Sequence, residues 1–323
     1  MKETRNNSDF SDVPCLICGG FDTKSISHKG KFNLPTHVSI CMNDGLVYLN
    51  PRWTEKRYQK FYSKEYDQYH RPQILSPDEK GKYKSGNQIW ERLKNNQIKS
   101  FNSILDIGAG MGWTLDFIRN QVNDCKSFAA IESSDYCAKH IKNTIGAEFL
   151  TSNVETDWQQ NHSKQFDLVI MRHVLEHFLN PIEVLKKANF VLSSTGYIYI
   201  AVPNMMSPIG SLNDSWFRVV HTYYFSIITL LRVAAQANLE PKSIQLHGNE
   251  IWGIFKKADF KYKEESTSVF IEQMEIIKTY RRKRLFKEIV IFLPKIMSKY
   301  FPKSFKARLP NIFKRKLRKY MKA

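Results

Sequence analysis

Hydrophobic positions in the middle of this 323-residue chain fall into short unbroken runs separated by amphipathic stretches. Ile104, Leu105 and Ile107 form the first run, followed by Ser127 to Ile131, Ala147 to Leu150, Phe166 to Met171 and Gly196 to Val202. Short apolar runs of this kind are the pattern of strands buried on both faces, as in a parallel sheet. Between them apolar residues recur at helical spacing: Trp113, Leu115, Phe117 and Ile118 after the first run, and Ser134 to Asn143 after the second. Asn180-Pro181-Ile182-Glu183 supplies a cap, a first-turn proline and an early acid for a further helix. Alternating strands and helices predict an α/β fold with a doubly wound, mostly parallel sheet. Ser243 to His247 and Trp252 to Lys257 are expected to close it.

The flanks are patterned differently. Residues 1–60 hold strand-like pieces broken by cysteines and glycines and are expected to form a small opening domain. Residues 61–100 form a helical connector. Tyr58, Phe61, Tyr62, Tyr66 and Tyr69 have helical spacing between Trp53 and Arg71, and Gln88 to Lys99 should form a helix. Arg71 to Gly86, with Pro72, Pro77, Gly81 and Gly86, is the connector's mobile part. The core domain is 101–262, and 263–323 is a tail.

The first core run belongs to Asn-Ser-Ile-Leu-Asp-Ile-Gly-Ala-Gly-Met-Gly-Trp, Asn102 to Trp113. Strand, glycine turn and helix in that order make a nucleotide cradle, because glycine lets the backbone turn tightly and approach a ligand closely. Glu132 ends the next strand, where an acid can grip a ribose diol. The spacing is not the Gly-x-Gly-x-x-Gly of a dinucleotide site, which disfavours a nicotinamide-dependent oxidoreductase. Asp106-x-Gly-x-Gly-x-Gly with a later acid resembles the S-adenosylmethionine site of class I methyltransferases. The resemblance implies a Rossmann-like sheet, methyl transfer from S-adenosylmethionine, and a cofactor site formed by Asp106, Gly108, Ala109, Gly110, Gly112, Glu132, Asn153 and Arg172.

Five cysteines, an odd number, argue against a disulfide framework and for a reducing cytoplasm. Cys125 and Cys137 are isolated and are expected to be small buried apolar residues. Cys15-Leu16-Ile17-Cys18-Gly19-Gly20 has the form of a zinc knuckle, and Cys41-Met42-Asn43-Asp44-Gly45 that of a second one with aspartate in the last ligand position. Zinc accepts carboxylate oxygen, so Cys15, Cys18, Cys41 and Asp44 form a sound ligand set, with His28 or His37 as alternatives to Asp44. With the core motifs, this opening resembles bacterial sugar and glycan methyltransferases that carry an N-terminal zinc-ribbon-like domain, deoxysugar C-methyltransferases among them. The resemblance spans about residues 13–260.

After the fourth strand, His173-Val174-Leu175-Glu176-His177 resembles the His-x-Leu-Glu-His signature of that group. The two histidines are four apart and would share a face on a helical turn, one accepting a proton and one structural. His221-Thr222-Tyr223-Tyr224-Phe225-Ser226 resembles the group's histidine motif, although Val219-Val220 stands where the C-methyltransferases have Tyr-Glu. That departure weakens C-methylation more than methyl transfer. His221 is the first candidate base and His177 the second, with His173 beside them; a histidine titrates in the right range to take a hydroxyl proton. Asn204 to Phe225 reads as a substrate lid with Met205, Met206, Trp216 and Phe217 exposed at its tips. The expected acceptor is a sugar hydroxyl on a nucleotide sugar or a lipid-linked glycan. RNA methylation is the alternative, disfavoured because no Asn/Asp-Pro-Pro-aromatic motif follows the fourth strand. A non-catalytic scaffold binding S-adenosylmethionine or zinc is a second alternative.

Charge adds a separate feature. The chain carries +18, yet Lys278 to Ala323 holds 17 Lys and Arg against one acid, Glu288, leaving 32 bases and 30 acids elsewhere. Ile276, Tyr280, Leu285, Ile289, Phe292, Leu293 and Ile296, then Ile312, Phe313, Leu317, Tyr320 and Met321, keep helical spacing among those charges, with breaks expected at Pro294, Pro302 and Pro310. Basic amphipathic helices of this kind lie on anionic membranes, so a peripheral position on the inner face of the membrane is expected, with nucleic acid a weaker partner. No run is long enough to span a bilayer, and Met1 to Asp12 lacks the apolar run of a signal peptide.

Overall fold

The computed structural model describes residues 9–65, 79–122, 125–162, 165–258 and 269–300. The chain divides into two units, Met1–Phe270 and Ile271–Ala323. In the first, β1 (Phe10–Ser11), β2 (Thr23–Lys29), β3 (Pro35–Cys41), β4 (Val47–Leu49) and β5 (Arg52–Trp53) precede the helix α1 (Glu55–Lys64). Next come α2 (Lys84–Asn95), β6 (Ser103–Ile107), α3 (Trp113–Arg119), β7 (Ser127–Ile131), α4 (Asp135–His140), β8 (Glu148–Thr151) and β9 (Phe166–Arg172). The unit ends with α5 (Pro181–Val191), β10 (Leu192–Pro203), β11 (Tyr223–Tyr224), α6 (Ile227–Ala235), β12 (Leu239–His247) and β13 (Glu250–Lys257).

The main sheet has seven strands in the order β12-β13-β10-β9-β6-β7-β8. From β10 to β8 all neighbours are parallel, while β13 runs antiparallel to both β10 and β12. Every residue of β6 is buried, as a central strand covered on both faces requires. Leu105 and Ile107 face one apolar cluster with Val169 and Met171, while Ile104 faces the other with Leu168, Ile170 and Ala130. The strand order reverses direction between β6 and β9, which opens a crevice at their carboxyl ends.

A second sheet, β11-β4-β3-β2, joins the opening residues to the core. Tyr223 pairs with Tyr48 and Tyr224 with Val47, so a strand from the late part of the chain completes the N-terminal sheet. Leu49 N donates to Thr222 O at 2.9 Å and extends that pairing to the residue beside His221.

Several element boundaries differ from the expectation. The helix before β6 occupies Lys84–Asn95 rather than Gln88 to Lys99, because Gln97 takes a left-handed conformation (φ 64°) that ends it. Thr54 caps α1, whose Arg57 N donates to the threonine hydroxyl. The helix stops at Lys64, and most of the expected connector, Tyr66 to Asp78, lies outside the described residues. After α4 the chain continues in a wider turn, Ile141–Ile145.

A last helix, α7, is continuous over Val269–Tyr300, so all but its first two residues belong to the second unit. The expected break at Pro294 is absent: proline removes one hydrogen bond, and the turns on either side keep theirs. Pro302, Pro310 and the set Ile312 to Met321 lie outside the described residues.

Candidate functional site

The glycine turn sits at the carboxyl end of β6. Gly108 N donates to Ile131 O at 2.8 Å, tying the turn to the end of β7. Gly108 has φ 77°, and a Cβ built there would lie 2.6 Å from Val174 Cγ2, so the Arg172-to-Phe178 segment packs directly on the turn. Gly110 has φ 55° and open space where a Cβ would point, so its backbone is accessible to a ligand. Gly112 caps α3, and Ala109, half-buried, completes the turn.

Glu132 closes this cradle. Its carboxylate accepts from Gly110 N and from Ser134 N, each at 2.8 Å, and is thereby held beside the glycine turn. Asp106 is buried beneath it, flanked in the sheet by Ala130 and Ile170. Burial, reinforced by the nearby Glu132 charge and opposed by Arg172, pushes the Asp106 carboxyl up to about 7. Asp106, Gly108, Ala109, Gly110, Gly112 and Glu132 thus form one constellation. Asn153 lies beyond β8, exposed, with its Oδ1 accepting from Glu155 N at 2.9 Å in a local turn.

Arg172 and His173 end β9 beside that constellation. Arg172 approaches Glu250 Oε2 at 3.6 Å, and His173 Nε2 lies 2.7 Å from the same oxygen. The other oxygen of Glu250 accepts from Arg92 Nη1 at 2.7 Å, and the same Arg92 nitrogen donates to Tyr199 Oη at 2.6 Å. Burial alone would lower the His173 pKa, but hydrogen bonds to Glu176 and Glu250 raise it to about 9. Burial would raise that of Glu250, but His173 and Arg92 bring it to about 2. His173 is therefore a cation locked to a carboxylate, and its backbone is left-handed (φ 52°).

His177 behaves differently. Leu175–His177 is a single tight turn, so the two histidines do not share a helical face as expected; Glu176 lies between them, its Oε1 3.7 Å from His173 Nδ1 and 3.9 Å from His177 Nε2. Burial lowers the His177 pKa and keeps the ring neutral. Its ring meets His221 edge-on at 4.7 Å between centroids. Thr222 Oγ1 donates to Glu176 O and Phe178 O at 2.9 and 2.7 Å, which fixes this juxtaposition. Glu176, His177 and His221 present their ligand atoms within 4.8 Å of one another, and Glu176 Oε2 is buried with no hydrogen-bond partner.

The segment Asn204 to Phe225 does not expose the expected apolar tips. Met205, Trp216 and Phe217 are buried, with Phe217 packed edge-on against Tyr224, and Met206 is half-buried. Apolar side chains with this much area leave water when a neighbouring surface is within reach, here the N-terminal sheet. Ile209 remains exposed.

The two knuckles converge. Cys15 Sγ and Cys41 Sγ lie 3.4 and 3.5 Å from Asp44 Oδ2, and Cys18 Sγ lies 3.7 Å from Cys41 Sγ. Sulfur ligands about 2.3 Å from a tetrahedral zinc stand about 3.8 Å apart, so these spacings fit one ion. The Cys15 thiol is pushed up by its Cys41 contact and by burial. Arg232 of α6 donates from Nη1 to Asp44 O at 3.1 Å, and Gln236 Nε2 donates to Ile17 O at 3.0 Å, so one helix end supports both knuckles. His28 and His37 instead face each other, Nδ1 to Nδ1 at 3.2 Å. Cys137 is buried against Met111 and Cys125 is half-buried; none of the five cysteines is in a disulfide.

Glu250 and Arg92 were not evident from the sequence. Arg92 interrupts an apolar helix face between Ile89 and Leu93, which is a signal of a buried charge needing a partner. Glu250 begins β13, which is antiparallel and so starts at the carboxyl edge of the sheet, where ligands bind.

The family described as a methyltransferase domain matches residues 60–244. No curated protein matches the sequence. Among solved structures, an S-adenosylmethionine-dependent methyltransferase from Clostridium acetobutylicum ATCC 824 is 12% identical, with a TM-score of 0.44 over 62% of this chain and 99% of that one. The plantazolicin methyltransferase BpumL in complex with SAH is 17% identical, with a TM-score of 0.46 over 63% and 91%. The PH0226 protein from Pyrococcus horikoshii OT3 is 15% identical, with a TM-score of 0.46 over 60% and 99%.

Proposed function

The chain belongs to the S-adenosylmethionine-dependent methyltransferases, and on that premise we propose that it methylates a sugar hydroxyl carried on a nucleotide or a lipid. S-adenosylmethionine, when bound, supplies an electrophilic methyl group. Glu132 and the accessible backbone of Gly110 would hold it, over Asp106. The chain's remaining task is to align the acceptor and remove its proton.

The observation that carries the hydroxyl reading is the neutral, half-buried His177 ring against the buried His221. A neutral imidazole can accept the hydroxyl proton, and Glu176, 3.9 Å from His177 Nε2, stabilises the imidazolium that results. His173 is ill suited to that role, because Glu250 and Glu176 hold it protonated. The sugar class rests on the likeness of the histidine motifs to sugar methyltransferases.

Cys15, Cys18, Cys41 and Asp44 hold a structural zinc ion in this reading, supported by the ligand spacing. The basic tail, with 17 Lys and Arg against one acid, meets an anionic membrane. No helix among the described residues is long and apolar enough to cross one.

Incubation with methyl-labelled S-adenosylmethionine and a panel of nucleotide sugars, alkyl glycosides and RNA tests the acceptor class. Methyl ethers on a sugar support the proposal; label found only in RNA, or on a sugar carbon, overturns it.

A further inference from the structure

Lys31 and Arg218 line an open surface recess whose walls also include Phe32, Leu34, Val219 and Val220. Both cations are half-buried, and among the described residues neither forms an ion pair with a carboxylate. Two neighbouring positive charges withdrawn from water without a counter-ion are costly, and burial together with Arg218 lowers the Lys31 pKa.

The backbone keeps the cations there nonetheless. Lys31 N donates to Phe217 O at 2.7 Å, joining the turn after β2 to the residue before Arg218. Arg218 is held on both sides by Tyr224, whose hydroxyl lies 2.7 Å from Arg218 N and 3.1 Å from Arg218 O. The turn itself places two non-glycine residues, Phe32 and Asn33, in left-handed conformations (φ 64° and 58°). Such strain persists where surrounding structure enforces it and concentrates at ligand sites. Phe32 stays 46% exposed at the rim although it is a large apolar ring.

The recess adjoins the proposed base. Arg218 is near enough to His177 for its charge to depress that ring's pKa, and the Val220 backbone, one wall of the recess, hydrogen-bonds to the same ring. His221 follows Val220 directly.

We propose that Lys31 and Arg218 form an anion subsite for the acceptor, binding the diphosphate ester that carries the sugar whose hydroxyl faces His177. This rests on the sugar-hydroxyl reading above. Arginine suits paired phosphate oxygens through its planar fork, and lysine adds a point charge. Phe32 at the rim holds Lys31 Nζ 4.6 Å from its ring centroid, which keeps the ammonium at the mouth of the recess.

Calorimetry with inorganic pyrophosphate, uridine diphosphate and farnesyl diphosphate, on the full chain saturated with S-adenosylhomocysteine, tests the subsite. Pyrophosphate should bind, weakened roughly tenfold or more by Lys31→Ala and by Arg218→Ala, as expected when one charged hydrogen-bond donor is lost. Arg218→Lys should recover part of the loss, and S-adenosylhomocysteine binding should be unchanged in all variants. Tighter binding of uridine diphosphate than of pyrophosphate identifies a nucleotide carrier, and tighter binding of farnesyl diphosphate a lipid carrier. If all three probes bind the Lys31→Ala/Arg218→Ala double variant as they bind wild type, or bind neither, the subsite is wrong. In that event methylation of a neutral alkyl glycoside would leave the hydroxyl reading standing. If the probes bind through Lys31 and Arg218 while no hydroxylated acceptor is methylated, the hydroxyl reading falls and the anion site remains.

Discussion

His173 Nε2 lies 2.7 Å from Glu250 Oε2 although the two residues are 77 positions apart, which joins the end of β9 to the start of β13 at the mouth of the site. The His173 pKa is raised above its ordinary value, so its contribution to stability is complete below about 6.5 and is lost as pH rises through about 9. Glu250 is depressed, so its contribution is present above about 4.5 and is lost as pH falls through about 2.

Both contributions are therefore complete between about pH 4.5 and 6.5. Glu250→Gln should destabilise the fold by about 3 kcal/mol at pH 6, because Arg92 and His173 are left buried without their counter-charge. The loss should shrink above pH 9, where His173 is neutral in wild type. Denaturant unfolding at the two pH values checks this, and an equal loss at both would contradict it. NMR titration of His173 should show its pKa falling in the variant.

Glu132→Ala should weaken S-adenosylhomocysteine binding by about tenfold or more in calorimetry, since a charged acceptor for the ribose hydroxyls is lost. Unchanged affinity would remove Glu132 from the site. Gly108→Ala should also impair binding, because its Cβ would strike Val174.

His177→Ala and His221→Ala should each lower kcat by about 10²–10⁴-fold while S-adenosylhomocysteine binding persists. Burial lowers the His177 pKa, so wild-type kcat should hold through neutral pH and fall only on the acid side, as that ring becomes protonated. A rate that declines instead toward alkaline pH would assign the base elsewhere.

Elemental analysis should find about one zinc per chain. Cys41→Ser should lose the ion and lower Tm, while Asp44→Cys should retain it, since thiolate is an equal or better zinc ligand. Metal-free wild-type protein prepared without chelator would overturn the assignment.

The tail should carry the chain to vesicles of anionic lipid but not zwitterionic lipid, with sedimentation weakened by salt and abolished by deleting Lys278 to Ala323. Binding of RNA with no vesicle binding would favour nucleic acid.

The sequence by itself determined the parallel core and the glycine turn, because both depend on local pattern: a mostly apolar run such as Ile104 to Ile107 can satisfy its surroundings only inside a sheet, and glycine spacing directly encodes backbone conformation. The two cysteine knuckles were legible for the same reason, and their convergence supports the ligand set read from spacing. Tertiary structure alone decided which charges meet. Arg92, His173 and Glu250 are joined by a long-range antiparallel pairing that leaves only a weak periodic trace, an arginine on an apolar helix face. The burial of Met205, Trp216 and Phe217 was likewise set by the addition of β11 to the N-terminal sheet. That pairing also brings His221 to His177, because side-chain proximity across 44 residues is fixed by packing, and no spacing rule within either motif expresses it.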